Sequence, residues 1–160
     1  MMPFKDKNIP IVISINISKG GIPKWPVSSG EVTFNCLQGD GHHHAKHYDL
    51  KQAVSLQDIE ELALLRSQGY RLNCGITGEN LDVRFLNVNR LPLGTILNFS
   101  GGVQLELSKV RHPCYVLDAI DPRLKNAIMG RCGMYARVLK EGVITAGEEI
   151  HVLSPCLTSC

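Results

Sequence analysis

What most constrains this chain is its punctuation. Short apolar runs are each closed within a few residues by glycine or proline. Ile9–Ile17 stops at Gly20-Gly21 and Glu31–Cys36 stops at Gly39 and Gly41, while Leu81–Phe85, Leu93–Phe99, Val103–Leu107, Gly130–Leu139, Val143-Ile144 and Gly147–Leu153 follow with turns between them. Most alternate apolar and polar residues, and side chains on a strand point to opposite faces in turn. Val103, Leu105, Leu107 and the stem of Lys109 therefore share a face, until His112-Pro113 stops the ladder. Ser100-Gly-Gly102 reads as a hairpin connection. The expectation is a mainly β barrel with helical insertions.

Two stretches break the pattern. Ser55-Leu-Gln-Asp58 has the spacing of a capping box, and Leu56, Ile59, Leu62, Ala63 and Leu65 recur at helical spacing up to Gly69. This predicts the main helix at about 56–68, its apolar stripe packed on the sheet. Asp121 as N-cap, Pro122 at the first helical position and Gly130 as the stop predict a short helix at about 121–129.

At 160 residues the chain is read as one domain, 1–160, with a core at about 10–153 and a mobile tail at 154–160. With 44% apolar residues, 20% charged residues and a net charge of +2, nothing marks a nucleic-acid surface. No apolar run has the length of a membrane span and no leader pattern opens the chain, so a cytoplasmic location is expected. Six cysteines, at 36, 74, 114, 132, 156 and 160, are then expected as thiols. They contain no Cys-x-x-Cys pair, the usual mark of structural zinc.

Chemistry-bearing residues lie in the turns. Cys114 follows a strand end and has Lys109, Arg111 and His112 close by in sequence, a setting for a stabilised thiolate; the competing reading is an inert core thiol. Lys24, held between Pro23 and Pro26, can meet a phosphate or carboxylate or serve as a solvated loop charge. His42-His-His44 and His47 invite a metal, but three adjacent histidines in an extended segment cannot all face one ion, and loop histidines lining a cleft are the plainer reading. Glu79 and Asn80 sit in a Gly-Glu-Asn turn that binds either nearby backbone or a polar ligand.

Several segments together resemble one family. Lys19-Gly-Gly-Ile-Pro-Lys24, Leu37-Gln-Gly-Asp40, His47, Ala53-Val-Ser-Leu56, Gly78-Glu-Asn80, Arg111-His-Pro-Cys114, Gly130-Arg-Cys-Gly-Met-Tyr-Ala-Arg-Val138 and Gly142 to Gly147 look, in that order, like the MOSC family. That domain is named for the C-terminus of molybdenum cofactor sulfurase. The resemblance implies a MOSC-type β-barrel in which Cys114 carries sulfur as a persulfide or ligates molybdenum. It implies a cleft for the pterin and its phosphate formed by Lys24, Asp40, His47, Glu79, Asn80, Arg111, Arg131 and Arg137. It also implies a carrier of molybdenum cofactor, or of sulfur for its maturation, with a cysteine desulfurase or a molybdoenzyme as partner. Pyridoxal phosphate would enter only through such a desulfurase. The alternatives are a molybdenum-dependent reductase of N-hydroxylated bases and a structural domain with an inert Cys114. Two positions depart from the family pattern: Tyr48, where small residues are common, and Gly147-Glu148, where Gly-Asp is usual.

Overall fold

The computed structural model describes residues 8–41 and 49–155. The histidine tract with His47 and Tyr48, together with Cys156 and Cys160, lies outside the described residues.

The architecture is mainly β. Strands β1 (Ile11–Ile17), β2 (Trp25–Val27), β3 (Ser29–Val32) and β4 (Val54–Asp58) precede helix α1 (Ile59–Ser67). Then come β5 (Leu81–Arg84), β6 (Ile96–Phe99), β7 (Gln104–Val110), helix α2 (Leu124–Ala127), β8 (Met134–Lys140), β9 (Gly142–Thr145) and β10 (Ile150–Leu153). Eight strands form one sheet in the order β10-β6-β7-β8-β4-β5-β1-β2, and β3 pairs with β9 separately. Only β4 and β5 run parallel; the other pairs are antiparallel. The large sheet is not laddered shut into a barrel. Its first and last stretches meet at a bridge between Ile11 and Glu149, flanked by bonds from Ile150 N to Pro10 O and from Val12 N to Glu148 O.

Alternation in β7 places Val103, Leu105 and Leu107 in the main core beside Leu56, Leu81 and Leu97. Each leucine so buried contributes about 2 kcal/mol. Lys109 leaves that face. The β7–β8 register shifts between Leu107 and Lys109, and a bulge of this kind turns the following side chains over. The departure at Glu148 is a turn substitution, its carboxylate accepting from the backbone N–H groups of Gly101 and Thr145.

Three sequence expectations need correction. The main helix begins at Ile59, not near 56, because Val54–Asp58 is a strand between β8 and β5. All five of its residues are buried, so no alternation shows. The apolar stripe of α1 buries Leu62 and Leu65 in a second core with Leu72, Leu117, Leu124, Ile128 and Cys132, a cluster built largely from the segment carrying α2. The short helix expected at about 121–129 is shortened to α2 at Leu124–Ala127, and a separate 3-10 turn at Tyr115–Ala119 precedes it. Asp121 still acts locally, its carboxylate accepting from Arg123 N at 2.8 Å.

Asp58 sits at the N-cap of α1 without capping it. Its Oδ2 accepts from Val88 N at 2.9 Å, and its Oδ1 has no partner. Burial pushes this carboxyl up to about 6 from 3.8, opposed by the Val88 N–H and reinforced by Glu60 and Glu61. Between those two values the folded chain binds more protons than the unfolded one, so stability falls as pH rises through the window and levels off above it. The displacement corresponds to about 3 kcal/mol. Urea unfolding from about pH 4 to about pH 7 should therefore show Asp58→Asn losing about 3 kcal/mol less than the wild type. Equal losses would mean that Asp58 does not titrate in this window. Buried Asp82, pushed up to about 9 beside Glu79, has the same sign and remains in both proteins.

Candidate functional site

Five segments between strands, together with β4 and β8, converge on a polar pocket of about 190 Å³ lined by Lys24, Asp40, Gln52, Ser55, Gly78, Asn80, Arg111 and Tyr135. Each comes from a junction in the sheet. Lys24 immediately precedes β2, its N–H donating to Gly75 O at 2.8 Å, and its ammonium pairs with Asp40. Asp40 is buried and also accepts from Ser18 N at 3.1 Å and Asn80 Nδ2 at 2.9 Å.

Asn80 is the hub. Its Oδ1 accepts from Ser55 N at 3.0 Å and Ser55 Oγ at 3.2 Å, its N–H donates to Ser55 Oγ at 3.0 Å, and its Nδ2 also reaches Asn16 O at 3.3 Å. A buried amide with both ends engaged locks the mouth of β5 to β4 and to the loop bearing Asp40.

Arg111 closes another wall. Nη2 donates to Thr77 O, while Nη1 donates to Thr77 Oγ1 and Cys132 O, each at 3.3 Å. Burial works against its charge, but Cys132, Glu79 and Tyr135 more than restore it, and the guanidinium stays cationic. Gly78 lies against it at φ +95°, where a Cβ would come 3.1 Å from Ile22 Cγ2 and 3.2 Å from Arg111 Nη2. Only glycine keeps this wall clear in an unstrained left-handed conformation.

Of the sequence candidates, the structure brings Lys24, Asp40, Asn80 and Arg111 together. Glu79 adjoins the pocket but turns away from it. Fully buried, it accepts from Gly75 N at 2.7 Å, from Thr77 N at 3.1 Å and from Thr77 Oγ1, so its part is to shape the loop that holds Arg111. Arg131 lies elsewhere, donating to Ala127 O at 3.1 Å and facing Glu61 at 3.7 Å. Arg137 pairs with Glu106 at 3.0 Å along the β7–β8 ladder and lines a different pocket with Lys51. Gln52, Ser55 and Tyr135 were not singled out from sequence; the only signal for Ser55 and Tyr135 was their place inside the quoted Ala53–Leu56 and Gly130–Val138 motifs.

Cys114 is exposed, at the start of the 3-10 turn, where its carbonyl accepts from Leu117 N at 3.1 Å. It is not sealed in apolar packing. Cys132, in contrast, is buried in the second core; burial pushes its thiol up, Arg111 pulls it down, and Glu79 and Cys114 reinforce the rise. Cys36, Cys74, Cys114 and Cys132 are free thiols. Among the described residues no three His, Cys, Asp or Glu side chains are grouped to hold a metal ion by themselves. No helix among them is long and apolar enough to cross a membrane.

A family model described as the MOSC domain matches residues 42–151. A curated protein of Gibberella moniliformis named "Reductase" is 32% identical over 123 residues, which cover 72% of this chain and 22% of that one. The chain thus spans about a fifth of the length of the curated relative it matches. Among solved structures, YiiM from Geobacillus stearothermophilus is 26% identical with a TM-score of 0.76, over 93% of this chain and 77% of that one. The YUAD protein from Bacillus subtilis has the same fold at 18% identity, with a TM-score of 0.77 over 91% and 97% of the two chains.

Proposed function

The chain belongs to the MOSC domain family, and on that premise we propose that it binds molybdenum cofactor in the Lys24–Asn80–Arg111 pocket and acts as a carrier. Its cargo is the cofactor itself or sulfur for it, held as a persulfide on Cys114. The observation that carries this reading is a polar pocket walled by an anchored, cationic Arg111, with exposed Cys114 three residues further along the chain and outside the pocket's lining.

The donor set fits the polar end of a pterin phosphate. Lys24, Gln52, Ser55, Asn80, Arg111 and Tyr135 surround the pocket with N–H and O–H groups, and Gly78 leaves room beside the guanidinium. Arg111 commits three of its five N–H donors to Thr77 and Cys132, so the fork is oriented before a ligand arrives and keeps donors to spare. Lys24 is matched by Asp40, and an entering phosphate competes for that ammonium. Cys114 supplies a soft thiolate of the kind molybdenum prefers. The bound group would contribute a redox-active metal.

For sulfur carriage, the Cys114 thiolate attacks the outer sulfur of a donor persulfide. The donor's sulfur–sulfur bond breaks as the new one forms, and the donor leaves as a thiolate. A cysteine desulfurase partner would supply that donor. Wild-type protein treated with a desulfurase and cysteine should gain one sulfur atom by intact-mass spectrometry, and Cys114→Ser should gain none while unfolding normally, because the side chain is exposed. Protein purified from a cofactor-producing host should carry molybdenum and pterin. Absence of both, with no persulfide on Cys114, would overturn the reading.

The relative named "Reductase" supports a second reading, a molybdenum-dependent reductase of N-hydroxylated bases. Loaded protein given an electron donor and such bases should then turn over; a carrier should not.

A further inference from the structure

Beside the Arg111 pocket lies an apolar groove of about 290 Å³ lined by Ile22, Pro23, Arg71, Ile76, Ala119 and Ile120. The segments that build the pocket build the groove as well. Ile22-Pro23 directly precede Lys24, Ile76 stands two residues before Gly78, and Ala119-Ile120 close the 3-10 turn that follows Cys114. Two of these segments are tied together by the bond from Lys24 N to Gly75 O at 2.8 Å. Ile22 is common to both spaces: it lines the groove, and its Cγ2 would stand 3.1 Å from a Cβ added at Gly78 in the pocket wall.

Ile22, Ile76 and Ile120 are half-buried, so each keeps part of its side chain open to the groove. Arg71 brings the one charge in this lining. It is exposed, and among the described residues its guanidinium is in no ion pair. Arg123, by contrast, is committed, bonded to Asp121 at 2.9 Å and lying 5.5 Å from the centroid of the Tyr70 ring. Small-molecule sites commonly combine apolar walls, which supply affinity, with a few polar groups that fix orientation. An unpaired guanidinium in that role selects an anion, and its fork matches the two oxygens of a carboxylate.

We propose that this groove is a second binding site, for a small organic acid whose apolar body rests on Ile22, Ile76 and Ile120 while its carboxylate meets Arg71. The ligand would lie next to whatever the Arg111 pocket holds, with Ile22 between them. The site stands whether or not that pocket takes molybdenum cofactor.

Octanoate is the probe, titrated near neutral pH and read by the chemical shifts of the Ile22, Ile76 and Ile120 methyl groups. Saturable binding is expected below ~10 mM. Buried methylenes set the affinity, so hexanoate, heptanoate and octanoate should bind roughly threefold tighter at each step. Arg71→Ala should weaken octanoate roughly fivefold, and Arg71→Glu should turn the preference toward octylammonium. Arg123→Ala should leave the affinity unchanged. The proposal is overturned by an absence of saturable shifts at these methyls, by affinity that does not depend on chain length, or by equal binding of octanoate and octylammonium to the wild type. A response confined to the amides of Gly78 and Asn80 would also overturn it, because the anion would then sit in the Arg111 pocket. Arg71 is exposed, so its variants should fold normally, and the ligand series tests the groove without any variant.

Discussion

Glu79→Ala is expected to lower the unfolding free energy by about 4 kcal/mol. The side chain is fully buried and is the acceptor for Gly75 N, Thr77 N and Thr77 Oγ1. Alanine strands all three donors in a place water does not reach, at about 1 to 3 kcal/mol each. Part of this is returned because a fully buried polar group no longer has to be desolvated, and removing Glu79 also lessens the upward push on Asp82. The loss therefore falls below the full sum. Urea unfolding of Glu79→Ala, Asp82→Asn and the double variant measures both effects, because a double-mutant cycle isolates the coupling. A Glu79→Ala protein within about 1 kcal/mol of wild type would show that water fills the site and satisfies the donors. The consequence reaches the pocket: Thr77, whose carbonyl and hydroxyl anchor Arg111, loses its own support.

Gly133→Ala should be comparably damaging for a steric reason. A Cβ there would stand 2.0 Å from Leu56 O, a backbone atom of the central strand β4, and the glycine already has φ +88°. Either β4 or the approach to β8 must move. Movement would also disturb the Arg111 N bond to Gly133 O at 3.2 Å and the Gly133 N bond to Asn89 Oδ1 at 2.8 Å. A cost of about 4 kcal/mol should appear as a melting point lower by roughly 10 °C in a chain of this size. Gly130→Ala is the control, since that glycine has φ +77° but open space around it, and only the left-handed conformation is penalised, by about 1 kcal/mol. Equal effects at the two positions would remove crowding as the explanation.

Alternation was the legible part of the sequence. It placed β6, β7 and β8, because each shows one face to a core and the other to a more open side, whereas β1, β5 and β10 are legible as short apolar runs between turns although their burial does not alternate throughout. It failed at β4, where burial on both faces erased the period and an accidental capping-box pattern supplied a helical one in its place. It failed again at β2, since Pro23 and Pro26 argue for a loop; the strand is tolerated as an edge paired only with β1.

The pocket was legible only through the family pattern. Lys24, Asp40, Asn80 and Arg111 meet through long-range pairing that no local rule encodes. Glu79 illustrates the gap between position and orientation: its place in the motif is beside the pocket, but the N–H groups of its own turn capture its carboxylate. Arg137 shows the same gap on a strand. Tyr135 and Arg137 share one face of β8, but Tyr135, nearer the strand's start, lines the pocket, while Arg137, further along, is held by Glu106.

The first and last strands in chain order also meet. Ile150 N donates to Pro10 O, and Ile11 bridges Glu149, so the polypeptide enters and leaves this fold side by side. A host chain can therefore be opened at one surface loop to receive the whole unit, with its severed ends held only a strand spacing apart. For the same reason a short linker joining those ends, with new termini cut at Ser100-Gly101-Gly102, would yield a circularly permuted protein in which the Arg111 pocket is built from the same loops in a different chain order.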